Sequence, residues 1–217
     1  MNPARQHKPT TEPPAADDAA DDWSWTEHPG LLRREIGDAA AGLFAARGVD
    51  GATTREIAAA AGCSEGAIYR YWPSKEALAR DLFMAVHRRL ASDIRNCAAT
   101  GSTVEQQAAA IVRVYCGFAD WQWERFAFHL LSTSRYLPTP EGEDNPVAAA
   151  EDLVRAAMQR GEIPRGDPAL VAAMALGVVL QAALHKLYGR IEGGLRPHAP
   201  AMTRAVIAVL KSGGEGA

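Results

Sequence analysis

Between Ala52 and Lys75 the chain reads ATTREIAAAAGCSEGAIYRYWPSK, and the breaks in that stretch leave little freedom in how it folds. Thr53 and Glu56 stand three apart as a capping box that opens one helix. Gly62 ends it, Ser64 caps a second helix running to about Tyr71, and Pro73-Ser74 breaks the chain again. A glycine in the Gly62-Cys63-Ser64 turn can take φ > 0, as a tight corner between steeply crossed helices requires. Ile57, Ala60, Cys63 and Ile68 are placed to form the small core between the two helices.

The same kind of pattern runs through the rest of the chain. A helix is predicted from about Pro29, with Leu32, Ile36, Ala39, Ala40, Leu43 and Phe44 as its buried stripe and Gly48 as its stop. A long fourth helix carries Leu78, Leu82, Val86, Leu90 and Ile94 four apart on one face. Further helices are predicted over about 103–119, 121–135, 147–160, 168–190 and 198–211, with a loop over 137–146. Alanine is abundant and alternating β-branched runs are absent, so the expected fold is all-α with about nine helices. Three parts follow: a disordered acidic tail over 1–28, a helix-turn-helix domain with its linking fourth helix over 29–96, and a second helical domain over 97–217. Trp23 and Trp25 are odd in such a tail and could tuck against the first helix.

The net charge of −3 over 217 residues argues at first against a nucleic-acid partner. The acid is concentrated at one end, however. Residues 1–27 hold two basic and six acidic side chains, and without them the balance becomes +1. Cys63, Cys97 and Cys116 are too few and too scattered for a disulfide framework or a CxxC metal site, which fits a reducing cytoplasm. The Pro- and Asp-rich N-terminus does not read as a signal peptide. The most apolar segment, Ala169 to Leu184, is shorter than the roughly 18–20 residues of a membrane span. A soluble, cytoplasmic protein without membrane contact is expected.

The outward face of the second short helix has a chemistry of its own. Gly66 and Ala67 leave almost no side-chain bulk near its start. Tyr69, Arg70, Tyr71, Ser74 and Lys75 offer hydroxyl, guanidinium and ammonium donors of the kind that anchor phosphate oxygens. Arg55 could reach a guanine edge. Here the sequence resembles the DNA-binding domain of TetR/AcrR-family regulators, through IGDAAAGLFAARG at 36–48, TTREIAAAAG at 53–62 and SEGAIYRYWPSKEAL at 64–78. The resemblance implies that Thr53 and Thr54 cap the second helix and touch phosphate. It places Arg55 at a base-contacting position and Ser64, Glu65, Gly66 and Ala67 at the start of the recognition helix. Tyr69, Tyr71 and Lys75 match phosphate-anchoring positions. Trp72 departs from the usual phenylalanine, and its larger ring should still fill the core. Glu65 is a carboxylate among expected phosphate contacts, and repels them unless it accepts from a cytosine amino group.

The resemblance further implies that the second domain binds a small effector and builds a homodimer through its last two helices. Asp167-Pro168 starts a helix with an N-cap and a first-turn proline. From Ala169 to Leu184 only Gln181 relieves the apolar run, so that helix must be covered on nearly every side. Ala173, Gly177 and Ala182 permit close approach. Met202, Val206, Ile207 and Leu210 mark the last helix as the second element of a four-helix interface. The effector pocket is expected among Arg113, Phe118, Trp121, Glu124, Arg125, Phe128 and His129, in an aromatic stretch that also suits a packed core. His185 is expected to be a buried histidine.

These features predict a ligand-responsive DNA-binding transcriptional regulator. It would be a repressor that leaves a near-palindromic operator when a small, largely apolar effector binds. Recognition helices about 34–36 Å apart would read successive grooves, with the fourth helix as lever. A helical protein-interaction module that has lost DNA binding is the alternative. An enzyme is disfavoured, since GxSxG, HExxH and P-loop patterns are absent and Ser102 lacks a flanking partner. No metal and no cofactor are expected.

Overall fold

A computed structural model describes residues 30–137 and 144–212, and the predicted acidic tail, including Trp23 and Trp25, lies outside them. Among the described residues the chain is all-α, with nine α-helices. α1 (Leu31–Arg47), α2 (Thr54–Ala60), α3 (Glu65–Tyr69) and α4 (Lys75–Thr100) come first. α5 (Val104–Trp121), α6 (Trp123–Tyr136), α7 (Pro146–Arg160), α8 (Pro168–Leu187) and α9 (Ala199–Ser212) follow.

Local hydrogen bonds set most of these boundaries. The hydroxyl oxygens of Ser64, Ser74 and Thr103 accept from the backbone N–H three residues on, at the starts of α3, α4 and α5. Asn145 and Asp167 cap α7 and α8, each followed by proline in the first turn. Gly161 closes α7 in the left-handed region, with the N–H of Glu162 returning to the Ala157 carbonyl. Three expectations need correction. α1 starts at Leu31 after Gly30, and Pro29 falls outside the described residues. α8 stops at Leu187 rather than near 190, because Gly189 (φ 68°) turns the chain and Arg190 N–H returns to the His185 carbonyl. With 20 residues and an 18-residue stretch of mean hydropathy 1.8, α8 is also long and apolar enough to cross a membrane by length and composition alone, where the segment counted from sequence is shorter.

Two buried clusters form the interior. The first joins α1, α2, α3 and the first half of α4 around Ile36, Phe44, Ile57, Ile68 and Phe83, with Phe128 and Tyr136 inserted from α6. The second packs the rest of α4 with α5, α7, α8 and α9. α4 serves both, changing cores between Met84 and Val86. Within the helix-turn-helix, Ile57 and Ile68 are buried as expected and Cys63 is half-buried. Ala60 is exposed, and the buried alanine of α2 is Ala58, two residues earlier and on the opposite side of the helix. Trp72 does fill the core. Its indole N–H donates to Asp81 at 2.8 Å, and Asp81 also holds Arg33, whose guanidinium lies 5.2 Å above the Trp72 ring.

Candidate nucleic-acid interface

α2 and α3 are too short to persist alone, so their geometry comes from caps and neighbours. Thr53 accepts from Glu56 N–H at 3.2 Å, while the Glu56 carboxylate takes the Thr53 backbone N–H at 2.9 Å and its hydroxyl proton at 2.7 Å. Those Thr53 bonds, with Arg47 at 2.8 Å, hold the Glu56 carboxyl down at about 2. The Thr53 proton is thus committed inside the protein. Ser64 and Ser74 differ, because as caps they use only oxygen and keep their protons to donate outward.

The outer face brings three side chains of two helices together. Thr54 on α2 donates to Glu65 on α3 at 2.9 Å, and the Tyr69 hydroxyl approaches Thr54 at 3.5 Å. Tyr69 and Tyr71 are half-exposed, and Arg55 and Arg70 point to solvent. Lys75 is half-buried and donates to the Ala52 carbonyl at 2.6 Å, which pins the start of α4 beside Thr53 and leaves two ammonium protons for other acceptors. Ala67 is the exception among the expected interface residues. It is buried under α3, so its small size serves packing rather than groove contact. Gly66 behaves oppositely. A Cβ there would meet nothing closer than Ser64 Oγ at 3.9 Å, so nothing inside the fold requires glycine at this helical position.

The residues expected around an effector fall in several places. Arg113, Trp121 and Glu124 are exposed, and Phe118 is core. Arg125, Phe128 and His129 face the helix-turn-helix instead. Arg125 is buried and ion-paired with Asp38 of α1, and burial lowers its guanidinium to about 10. Phe128 packs on Phe44 with ring centroids 5.4 Å apart. His129 stacks on Phe83 at 4.6 Å, with its Nε2 3.1 Å from His87 Nδ1. Arg135, further along α6, bonds both Asp50 (2.8 and 3.1 Å) and Glu76 (2.9 and 3.3 Å), which draws the Asp50 carboxyl below its usual range. None of the seven lines the cavity of about 50 Å³ that the second domain does contain. Its walls are Ile111 and Tyr115 of α5, Leu153 of α7, Leu176 and Val179 of α8, and Leu210 of α9, with several small aliphatics between. His185, expected to be buried, is exposed on α8.

Residues 36–82 match the family model of bacterial regulatory proteins, tetR family. A curated relative, the HTH-type transcriptional repressor KstR2 of Rhodococcus jostii, is 33% identical over 132 residues, which is 57% of this chain and 60% of the relative. Over its helix-turn-helix the chain is thus similar to TetR-family regulators. The match therefore spans less than two thirds of that relative's length. The fold agrees with that of solved TetR-family regulators. A TetR-family regulator of Marinobacter aquaeolei superposes with TM-score 0.69 at 20% identity, covering 82% of this chain and 95% of the other. The regulator FadR of Bacillus subtilis, solved in complex with stearoyl-CoA, gives TM-score 0.62 at 19% identity, with coverage of 83% and 98%.

Two features of the molecule were not anticipated from the sequence. The aliphatic cavity lining carries no motif, because Ile111, Leu153 and Val179 resemble any core position until four helices converge. The roles of Arg125 and Arg135 did leave a signal. Charged residues inside an apolar, aromatic stretch have to find partners, and acids at 38, 50 and 76 were available in the first domain.

Proposed function

We propose that this chain is a homodimeric, cytoplasmic DNA-binding regulator that represses transcription and is released from a near-palindromic operator by a small apolar effector. One observation carries the reading. Thr54, Glu65, Tyr69, Ser64, Ser74 and Lys75 form a polar surface around a glycine that the interior does not require. Within it, Tyr69, Arg70, Lys75 and the two serines supply phosphate anchors, and Arg55, Glu65 and Gly66 face the bases. The name of the Rhodococcus relative supports repression as the mode of action.

The effector is proposed to occupy the aliphatic cavity rather than the aromatic stretch of α5 and α6. Tyr115 carries the one polar side chain in its lining among the described residues, so only hydrocarbon suits it. The long alkyl chain bound by the Bacillus subtilis regulator is the same chemistry. At about 50 Å³ the cavity has to widen to admit such a chain. Widening moves α5, α7, α8 and α9 relative to α4, and the effector then acts through its preference for that arrangement. The dimer is proposed to form on α8 and α9. Val171, Ala172, Val179 and Ala183 of α8 pack inward, while Leu170, Ala173, Met174, Gln181 and Tyr188 remain exposed along another side. Coverage by a second copy accounts for an apolar helix that its own subunit covers only in part.

A gel shift on DNA flanking its own coding region, repeated over a salt series, tests the reading. Exchanging Tyr69 and Arg70 together for alanine, both on the surface, is expected to weaken binding to every duplex. It should also reduce the salt slope by about one for each protomer. An unchanged slope sinks the assignment of this surface. In the same assay Leu176→Phe should leave DNA affinity intact while abolishing release by medium- and long-chain acyl ligands, because the added ring fills the cavity.

A further inference from the structure

Phosphate anchoring does not account for Glu65. A carboxylate has no proton to donate, and close to a duplex it is repelled by each phosphate. Yet Glu65 is exposed on the surface that carries Tyr69 and Arg70, and its position is built rather than incidental. Its Oε2 takes the Thr54 hydroxyl at 2.9 Å, and the Tyr69 hydroxyl backs Thr54 at 3.5 Å. Side chains of α2 and α3 thus hold Oε2 of an exposed carboxylate, and the bond to Thr54 leaves Oε1 available as an acceptor. A Cβ on the adjacent Gly66 would meet only Ser64 Oγ, at 3.9 Å, and without one the backbone beside Glu65 can come close to a base edge.

We infer that Glu65 determines operator sequence by accepting a hydrogen bond from the N4 amino group of a cytosine in each half-site, an inference that rests on the DNA-binding reading above. In the major groove only cytosine N4 and adenine N6 donate. The adenine amino group sits beside N7, an acceptor that repels a carboxylate. Guanine presents two acceptors, and thymine an acceptor and a methyl group. Cytosine is therefore the base that satisfies Glu65 without opposing it. Elsewhere the fixed charge faces acceptors and phosphates with nothing in return. Glu65 discriminates chiefly by weakening binding to the wrong sites, and Thr54 acts as its positioning residue.

Selection from a random duplex library, run in parallel with wild type, Glu65→Gln and Thr54→Val, tests this. Wild type is expected to enrich a near-palindrome with cytosine at one position in each half-site. Replacing that cytosine pair by thymine should then cost about fivefold in affinity, near the lower end for one base contact. Glu65→Gln should move the preference at that position toward adenine, whose N6 and N7 suit an amide, and bind unrelated duplexes more tightly. Thr54→Val should keep cytosine as the preferred base with smaller discrimination. If Glu65→Gln and wild type enrich the same bases at every position, the inference is overturned while the DNA-binding reading stands. If no variant enriches any sequence, both fail. Circular dichroism of the three proteins should be superimposable, since neither side chain belongs to the buried core.

Discussion

The two cores of this molecule differ in what their side chains leave unfilled. Around the helix-turn-helix, the rings of Phe44, Trp72, Phe83, Phe128 and Tyr136 interlock. Ion pairs then tie α6 to this core, from the buried Arg125 to Asp38 and, at the surface, from Arg135 to Asp50 and Glu76. In the second domain, aliphatic side chains and alanines meet around a cavity of about 50 Å³. Large rings and paired charges suit a region that has to hold two short helices in one geometry. Small aliphatic side chains from four different helices can separate without leaving a buried polar group unpaired. α6 joins the two regions, since it contributes Phe128 to one core and Phe126 to the other. It therefore stands beside α4 as a second mechanical link.

Removing Phe128 is the harshest way to break that contrast. Phe128→Ala should lose about 3–5 kcal/mol in denaturant unfolding, because a tightly interlocked core collapses poorly around a void. A loss below about 1 kcal/mol would mean that α6 is not part of the first core. The next effect concerns the histidines. His129 is enclosed by Phe83 and His87, and burial, reinforced by His87, pushes its imidazole from 6.5 to about 3. Between those values the unfolded chain takes up a proton that the folded protein excludes. Stability from His129 is thus complete above about pH 6.5 and drains away as the pH falls toward 3, at up to about 1.4 kcal/mol per pH unit. His129→Gln, which keeps a partner for His87 Nδ1, should flatten that acid limb in chemical unfolding curves, and an unaltered slope would point to other groups. The smallest effect sharpens the comparison rather than breaking it. Arg135→Gln acts on an exposed ion pair and should leave the melting temperature almost unchanged. It should alter, on the order of threefold, how strongly effector changes operator affinity. Equal coupling in variant and wild type would assign transmission to α4 alone.

Much of the first region was legible before folding. Thr53 and Ser64 announced two helix starts, and each cap is made within three residues of chain. The pattern also anticipated Ile57 and Ile68 in the core and Tyr69 and Arg70 outside. It erred at Ala60 and Ala67. In an alanine-rich helix, side-chain size gives no clue to which face is buried, and Ala58 in α2 and Ala67 in α3 proved to be the inward ones. The aromatic stretch misled for a related reason. Phe118 and Phe128 look alike as sequence, yet one faces the second domain's core and the other the first.

The amino-acid sequence by itself determined the helices, their ends, the corner at Gly62 and the chemistry offered along α3. These follow from hydrogen bonds and dihedral preferences that act over a few residues. Only the tertiary structure decided that α6 braces the helix-turn-helix, that the cavity lies among aliphatics of α5, α7, α8 and α9, and that one side of α8 stays exposed. Each depends on which helices meet across long stretches of chain, as in the pairing of Asp38 with Arg125, 87 residues apart. A helix face carries no record of its neighbour until packing supplies one.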